Sequence, residues 1–114
     1  MTPTALRDTV VQALEDLKGR DVVALDVSHV TDVMDFMVIA SGTSNRHVKA
    51  LVDSVVESSK ERGVRPMGIE GRETAEWVLV DLGDVVVHVM QPRAREFYDL
   101  ERLWDVPAAG QSVI

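Results

Sequence analysis

Residues 77–90 read WVLVDLGDVVVHVM, and this segment predicts a β-hairpin. Its two apolar runs, 77–82 and 85–90, flank the pair Gly83-Asp84, which suits a tight turn between antiparallel strands. Because side chains alternate between the faces of a strand, a loop with an even number of residues gathers the aliphatic side chains on one face. These residues, which we expect to point into a hydrophobic core, are Val78, Val80, Leu82, Val85, Val87 and Val89.

The opposite face of the hairpin is neither an ordinary core layer nor an ordinary solvated surface. Its residues are Trp77, Leu79, Asp81, Val86, His88 and Met90. Such a mixture is typical of partner-binding surfaces, in which aromatic residues and methionine are enriched. It is equally compatible with a helix packed over this face, with Asp81 and His88 at the rim. A loop with an odd number of residues would exchange the two faces.

The composition predicts one globular domain with a substantial core. The chain has 114 residues, of which 46% are hydrophobic and 27% are charged. The absence of cysteine excludes disulfides, thiolate metal sites and cysteine nucleophiles, and it favours a reducing compartment. Since the sequence shows neither a signal-peptide pattern nor an apolar segment of membrane length, we expect a cytoplasmic protein without a membrane partner.

The net charge is −7, from 19 acidic and 12 basic residues. A domain that binds nucleic acid directly usually has a basic face, because contacts to phosphates supply much of the affinity. The charge therefore disfavours direct nucleic-acid binding. It suits a basic protein partner, for which charge complementarity raises the rate of encounter.

The remaining segments predict an α/β (α+β) domain over 1–105, with a mixed five-stranded sheet flanked by helices in the order α-β-β-α-β-β-β-α. Thr2 and Ser44 are the expected N-caps of the first two helices. The expected elements outside the hairpin are helices at 2–18, about 45–62 and about 93–104, and strands at 21–27, 36–41 and 64–69, with a polar loop at 70–76 and a flexible tail at 106–114.

The final predicted helix carries aromatic residues on two sides. At helical spacing, Phe97, Leu100, Leu103 and Trp104 share one arc, which we expect to dock on the sheet. Tyr98 falls outside that arc. A single exposed tyrosine is common, but a tyrosine beside the face that contains Trp77 would form a binding hot spot.

No catalytic, metal-binding or cofactor-binding site is predicted. The segment SGTSNR at 41–46 precedes a helix but matches no phosphate-binding motif, so a turn capped by Ser44 is the preferred interpretation. Asp26, Asp32 and Asp35 lack the Asp-x-Asp spacing that a two-metal site would favour. The three histidines are too scattered to form a recognisable metal site.

Several motifs together resemble the Iojap family, also called the ribosomal silencing factor (RsfS) family. They cover most of the chain from Asp21 to Trp104, in matching order and spacing. The matching segments are DVVALDV at 21–27, DFMVIASGTSNRHV at 35–48, EG at 70–71, the hairpin at 77–90, and FYDLERLW at 97–104. The resemblance implies a nucleotidyltransferase-like topology without the catalytic acids.

The resemblance also implies a function and a set of partner-binding residues. Relatives of this kind are expected to bind the large ribosomal subunit at its fourteenth protein, block joining of the small subunit, and lower translation in nutrient limitation. They can also form homodimers. The residues expected to bind the partner are Trp77 and Tyr98 from the matching motifs, Asp81, His88, Met90 and Leu79 from the exposed hairpin face, and Glu70 from the EG turn.

Two other functions remain open from the residues alone. The Trp77 face could meet a second copy across a two-fold axis, which would make the domain a homo-oligomerisation module. Alternatively, Ser41, Gly42, Asp32 and Asp35 could retain nucleotide binding of a nucleotidyltransferase type.

Overall fold

A five-stranded sheet organises residues 1–104, which are the residues that the computed structural model describes. The elements are helix α1 (Pro3–Asp16), strands β1 (Arg20–Asp26) and β2 (Phe36–Ser41), helix α2 (Asn45–Glu61), strands β3 (Gly68–Glu70), β4 (Trp77–Asp81) and β5 (Val85–Met90), and helices α3 (Pro92–Tyr98) and α4 (Leu100–Trp104). The strands lie in the order β1-β2-β5-β4-β3, with β2 and β5 parallel and the other neighbours antiparallel. The predicted mixed α/β fold is confirmed. The predicted tail at 106–114 lies outside the described residues.

The hairpin has the turn that its sequence predicts. Strands β4 and β5 pair in a register that joins Asp81 to Val86, which leaves Gly83 and Asp84 at the tip. Gly83 adopts φ +87°, a left-handed conformation that glycine reaches without a steric penalty. Its N–H donates to the Asp81 carboxylate at 2.8 Å. All six aliphatic residues of the predicted core face are 5% exposed or less.

Helices α1 and α2 pack against this aliphatic face of the sheet. Each presents apolar residues at helical spacing, and burying such a side chain contributes about 1.5–3 kcal/mol. Both predicted N-caps are confirmed, because Thr2 accepts a hydrogen bond from the Ala5 N–H and Ser44 accepts one from the His47 N–H. The buried helical residues are Leu6, Val10, Ala13 and Leu14 on α1, and Val48, Leu51, Val52, Val55 and Ser59 on α2.

The predicted continuous helix at 93–104 is wrong, because the chain forms two short helices. Asp99 separates them with φ 47°, a left-handed conformation that ends α3. The break lets Arg95 on α3 donate to Glu101 on α4 at 2.7 Å and to the Ser41 hydroxyl at 2.9 Å. This partly buried guanidinium therefore links both helices to the end of β2.

The break also changes which residues of this segment are buried. Leu100 and Trp104 pack on the sheet as predicted, but Phe97 is 79% exposed and Leu103 is 71% exposed. The third strand differs too, since β3 is limited to Gly68–Glu70 and Glu70 lies in the strand rather than in the following loop. Among residues 1–104, every helix is too short or too polar to reach across a lipid bilayer.

Candidate partner-binding surface

The second face of the sheet is covered over one half and open over the other. Residues opposite one another in the register share a face, so Glu70, Leu79, His88 and Ile39 form a row across four strands. Helices α3 and α4 cover the part of this face that belongs to β2 and β5. The part that belongs to β3 and β4 carries no helix in the described chain. The interpretation that a helix covers this face is therefore confirmed for one half of it, and partner binding stays a prediction for the open half.

The covered half contains a second hydrophobic cluster. Its buried members come from β2, β5 and the connection after β1, and residues of α3, α4 and the neighbouring strands pack against them. The buried residues are Val27, Met34, Met37, Ile39 and Met90, and those packed against them include Trp77, Val86, Ala94, Leu100 and Trp104. This cluster fixes the position of the two short helices relative to the sheet.

Trp77 lies at the boundary between the covered and open halves. The indole is partly buried, and its ring centroid is 4.6 Å from that of Tyr98, which is 49% exposed. Phe97 approaches the Tyr98 ring edge-on, with centroids 5.0 Å apart. The structure thus brings Trp77 and Tyr98 together, although they lie on different elements. A pair of adjacent aromatic rings is the kind of group that dominates binding energy at interfaces.

The open half extends from this pair along β4 and β3. Leu79 and Asp81 on β4 are partly exposed, and Glu70 on β3 is exposed beside Leu79. We use the name aromatic surface for the set Trp77, Tyr98, Leu79, Asp81 and Glu70. It combines two rings and an aliphatic side chain with two carboxylates, and it matches five of the seven residues predicted from the sequence.

The two other predicted residues are not exposed. His88 is 5% exposed and Met90 is fully buried, so the prediction that both lie on an open face is wrong. Strand alternation correctly assigns them to the same face as Trp77. It cannot reveal that α3 and α4 return to cover that face at β5, because this contact is tertiary.

His88 lies next to Trp77 on the same face of the hairpin. The Trp77 indole Nε1–H donates to His88 Nδ1 at 2.9 Å, and the ring centroids are 5.9 Å apart. Burial lowers the pKa of His88 from 6.5 to about 4, because the imidazolium loses its hydration. His88 is therefore neutral at pH 7, with its proton on Nε2 and Nδ1 acting as the acceptor.

Gly71 supports the backbone of Trp77 from the loop after β3. It adopts φ +85°, and a Cβ atom at this position would lie 2.2 Å from the Trp77 carbonyl oxygen. Only glycine satisfies both requirements without displacing the start of β4. The EG segment that the sequence singles out thus combines an exposed acid at Glu70 with a close backbone approach at Gly71.

Two exposed residues near the pair were not predicted as part of a site. Phe97, assigned to the core by helical periodicity, is exposed because Asp99 ends the helix. Glu76 lies with Gln91, Arg93 and Ala94 in a groove that Phe97 and Tyr98 also line. The position of Glu76 next to Trp77 in the sequence is the one signal that could have identified it.

The segment at 41–46 has a structural role. Ser41 is buried and accepts its hydrogen bond from Arg95. His47 accepts from the Thr43 N–H at 2.9 Å, and its Nε2 lies 2.8 Å from the Leu17 carbonyl oxygen, to which it donates. Both ring nitrogens are thus engaged with the backbone, and the imidazole has no free position to act as a base. The preferred interpretation of this segment as a capped turn is confirmed.

Asp26, the last residue of β1, also binds its own chain. Asp26 accepts from the N–H and the hydroxyl of Ser28, at 3.0 and 2.6 Å, and these bonds lower the pKa of its carboxyl. Within residues 1–104 no group of three or more histidine, aspartate or glutamate side chains is arranged to hold a metal ion.

Comparison with known proteins gives consistent results. A sequence model of the family described as "RsfS: Ribosomal silencing factor during starvation" matches residues 1–113. A protein of Chromobacterium violaceum named ribosomal silencing factor RsfS is 55% identical over 94 residues, which are 82% of this chain and 77% of that protein. A mouse protein named "Mitochondrial assembly of ribosomal large subunit protein 1" is 38% identical over 100 residues, which are 85% of this chain and 44% of that protein.

The solved structures include a close match to the whole fold. A crystal structure of a Chromobacterium violaceum protein superimposes with a TM-score of 0.91 at 47% identity, covering 100% of this chain and 95% of that chain. The family match spans residues 1–113, so it does not rest on the hairpin alone. The chain belongs to the RsfS family of ribosomal silencing factors.

Proposed function

We propose that this protein is a translational repressor that binds the large ribosomal subunit through the aromatic surface and sterically blocks joining of the small subunit. The observation that carries the proposal is the Trp77–Tyr98 pair, with centroids 4.6 Å apart, at the boundary of the open half of the sheet. The names of the family and of its relatives refer to ribosomal silencing and to large-subunit assembly. The mechanism needs no catalytic residue and no cofactor, because occlusion is a consequence of binding.

The charge of the molecule indicates the kind of ribosomal component that the surface would bind. Glu70 lies opposite Leu79, Asp81 lies at the far end of β4 from Trp77, and the whole chain carries a net charge of −7. These carboxylates would repel the phosphates of ribosomal RNA and attract lysine or arginine side chains. The proposed contact is therefore a basic ribosomal protein. Following the family resemblance, we assign it to the fourteenth protein of the large subunit, on the face that meets the small subunit, with repression in the cytoplasm when nutrients are limiting.

Co-sedimentation with purified large subunits, small subunits and intact ribosomes tests the proposal. The expected result is pelleting with large subunits alone and loss of pelleting for Trp77→Ala. A matched control is Val33→Ala, since Val33 is an 82% exposed apolar residue in the loop between β1 and β2. Pelleting with no particle, or equal pelleting of Trp77→Ala and the wild type, would contradict the proposal.

A second assay tests occlusion separately from binding. Large subunits preincubated with the protein are mixed with small subunits, and the formation of intact ribosomes is followed by light scattering. The expected result is inhibition of joining that saturates with the same concentration dependence as binding. Binding without inhibition of joining would support the large subunit as the partner but would contradict the steric mechanism.

A second copy of the chain is the alternative occupant of the aromatic surface. Phe97, Tyr98 and Leu103 are exposed apolar residues on neighbouring turns of α3 and α4, and a homodimer would remove them from water. If the same surface serves both contacts, dimer formation and ribosome binding exclude each other. Light scattering over a dilution series, with and without Tyr98→Ala, distinguishes a dimer at this surface from a monomer.

A further inference from the structure

We propose that His88 is a positioning residue of the aromatic surface, which holds the Trp77 indole so that the ring, and not its N–H, is presented to the partner. The inference rests on the proposed function and deepens it by assigning the chemistry of the contact. From the sequence alone, His88 is expected to contact the partner directly. The positioning role takes the place of that contact, because the His88 side chain is too buried to reach a partner.

The geometry of the hairpin places the two rings on one face. In the β4–β5 register, His88 lies opposite Leu79, so Trp77 is its diagonal neighbour two positions along β4. The indole Nε1–H and His88 Nδ1 are 2.9 Å apart, which is the usual length of a well-formed N–H···N hydrogen bond. Because His88 is 5% exposed, water competes little for this bond.

The bond restricts how Trp77 turns. Without an acceptor at position 88, a partly buried indole N–H would lose a partner, and the ring would rotate to bring that N–H toward water. With the acceptor in place, the N–H is directed into the protein, and the partly exposed ring contacts both the second hydrophobic cluster and Tyr98. The orientation of the aromatic pair therefore depends on a side chain that the partner does not touch.

The same bond determines what the partner can recognise. Since the indole N–H is already occupied, Trp77 offers only its ring atoms. Aromatic ring faces attract guanidinium and ammonium groups, and Arg is the more frequent of the two in such contacts. Glu70 and Asp81 add negative charge on the same half of the sheet. The surface is thus suited to a lysine or arginine side chain whose charged group lies over the exposed part of the aromatic pair, with the carboxylates adding attraction from the same half of the sheet.

Two substitutions at position 88 separate positioning from packing. His88→Leu fills the space but removes the acceptor. His88→Asn keeps an oxygen acceptor at the place of Nδ1, because both atoms are bonded to Cγ. We expect His88→Leu to weaken binding to purified large subunits about five- to tenfold, in the range of one lost hydrogen bond, and His88→Asn to retain most of the affinity.

The indole N–H resonances of ¹⁵N-labelled protein report the positioning directly. The chain has 2 tryptophans, so Trp104 is an internal reference and Trp77→Phe assigns the signals. His88→Leu is expected to shift the Trp77 resonance and to speed its exchange with water, while Trp104 stays unchanged. His88→Asn is expected to keep Trp77 protected. An unchanged Trp77 signal in His88→Leu would overturn the inference.

A double-substitution cycle excludes a direct contact of His88 with the partner. If His88 acts through Trp77, His88→Leu causes no further loss of affinity in a Trp77→Phe background. Additive losses would overturn the positioning role. Thermal unfolding of each variant confirms that the comparison involves folded protein.

The failure of the inference is distinguishable from the failure of the proposed function. Wild-type protein that does not bind large subunits rejects the proposed function, and the indole resonances still decide whether His88 orients Trp77. Wild-type protein that binds, together with His88→Leu that binds equally well, rejects the role of His88 alone.

Discussion

The two faces of the central sheet are built in different ways. The face beneath α1 and α2 is almost purely aliphatic, and the hairpin residues that point into it are 5% exposed or less. The other face mixes tryptophan, histidine, methionine and carboxylates, and α3 and α4 cover only part of it. The first face provides stability through many similar contacts. The second face depends on a few specific contacts, made by Trp77, His88 and Arg95. It leaves the aromatic surface exposed.

This difference predicts that substitutions on the two faces affect different properties. Those beneath α1 and α2 should change the free energy of unfolding with little effect on the affinity of the folded protein. Those on the aromatic surface should change affinity with less effect on unfolding. The following predictions are arranged from the largest expected effect to the smallest.

Leu51→Ala tests the face beneath α1 and α2. Leu51 is fully buried on α2, and truncating a buried leucine typically lowers the free energy of unfolding by about 2–5 kcal/mol. Urea denaturation measures the loss. Large-subunit affinity, corrected for the folded fraction, should stay within about twofold of the wild type. A large loss of affinity in the folded protein would show that the two faces are coupled.

Acidification tests the burial of His88 on the second face. The pKa of His88 is lowered to about 4 in the folded protein, so the unfolded chain binds a proton first as the pH falls through 6.5. The free energy of unfolding should therefore decrease between about pH 6.5 and pH 4, by roughly 3 kcal/mol from this group. Urea denaturation at several pH values measures the decrease.

The matched control for the pH series is His88→Asn, which does not titrate in this range. Carboxylates elsewhere contribute equally to both proteins. The wild type should therefore lose more stability than His88→Asn between pH 6.5 and pH 4, because only the wild type has the His88 contribution. Parallel curves for the two proteins would show that His88 titrates normally in the folded state.

Tyr98→Ala tests the open part of the second face. Tyr98 is 49% exposed, so its truncation should leave the midpoint of thermal unfolding nearly unchanged. Loss of a hot-spot aromatic typically costs at least about 2 kcal/mol, which corresponds to roughly 30-fold in affinity. The affinity is measured by co-sedimentation with large subunits, with Val33→Ala as the control. Wild-type affinity in Tyr98→Ala would remove this residue from the proposed contact.

Gly71→Ala tests the support of Trp77 from the neighbouring loop. The added Cβ would lie 2.2 Å from the Trp77 carbonyl oxygen, so the loop or the start of β4 must shift. Gly63→Ala is the matched control, because Gly63 has a similar φ of +82° with no atom within 4 Å of an added Cβ. Both should lose about 1–2 kcal/mol of stability from the positive φ, and Gly71→Ala should lose more because of the clash.

Only Gly71→Ala is also expected to weaken binding, because it displaces Trp77. An equal affinity of the two glycine variants for large subunits would show that the backbone position of Trp77 is not critical for the contact.

The sequence predicts the face beneath α1 and α2 more completely than the other. Period-two alternation assigns every hairpin residue to its face, and the spacing in α1 and α2 identifies the residues that pack on the aliphatic side. Thr2 and Ser44 are recognisable caps because their side chains act on the backbone within one turn. These features are local or periodic, and they do not depend on distant segments.

The second face follows from features that a local pattern does not contain. At the break, Asp99 adopts a left-handed conformation, which is uncommon for a residue other than glycine. Arg95 contacts Ser41, which lies 54 positions away in the sequence. The burial of His88 and Met90 results from this arrangement. The motifs of the family resemblance nevertheless point to Trp77 and Tyr98, which the structure brings together. Helical periodicity places Phe97 in the core only if the helix is uninterrupted.

The parallel pairing of β2 and β5 has a consequence for how the chain folds. These strands form the middle of the sheet, yet β2 ends at Ser41 and β5 begins at Val85, with α2, β3 and β4 between them. All six residues of β2 are buried in the finished structure. Until β5 is available, β2 lacks its parallel neighbour and presents an unpaired apolar edge, which is prone to aggregate. Folding of the sheet therefore requires a contact between strands that are far apart in the sequence. A nascent chain that stops before Val85 lacks β5 and cannot form the middle of the sheet.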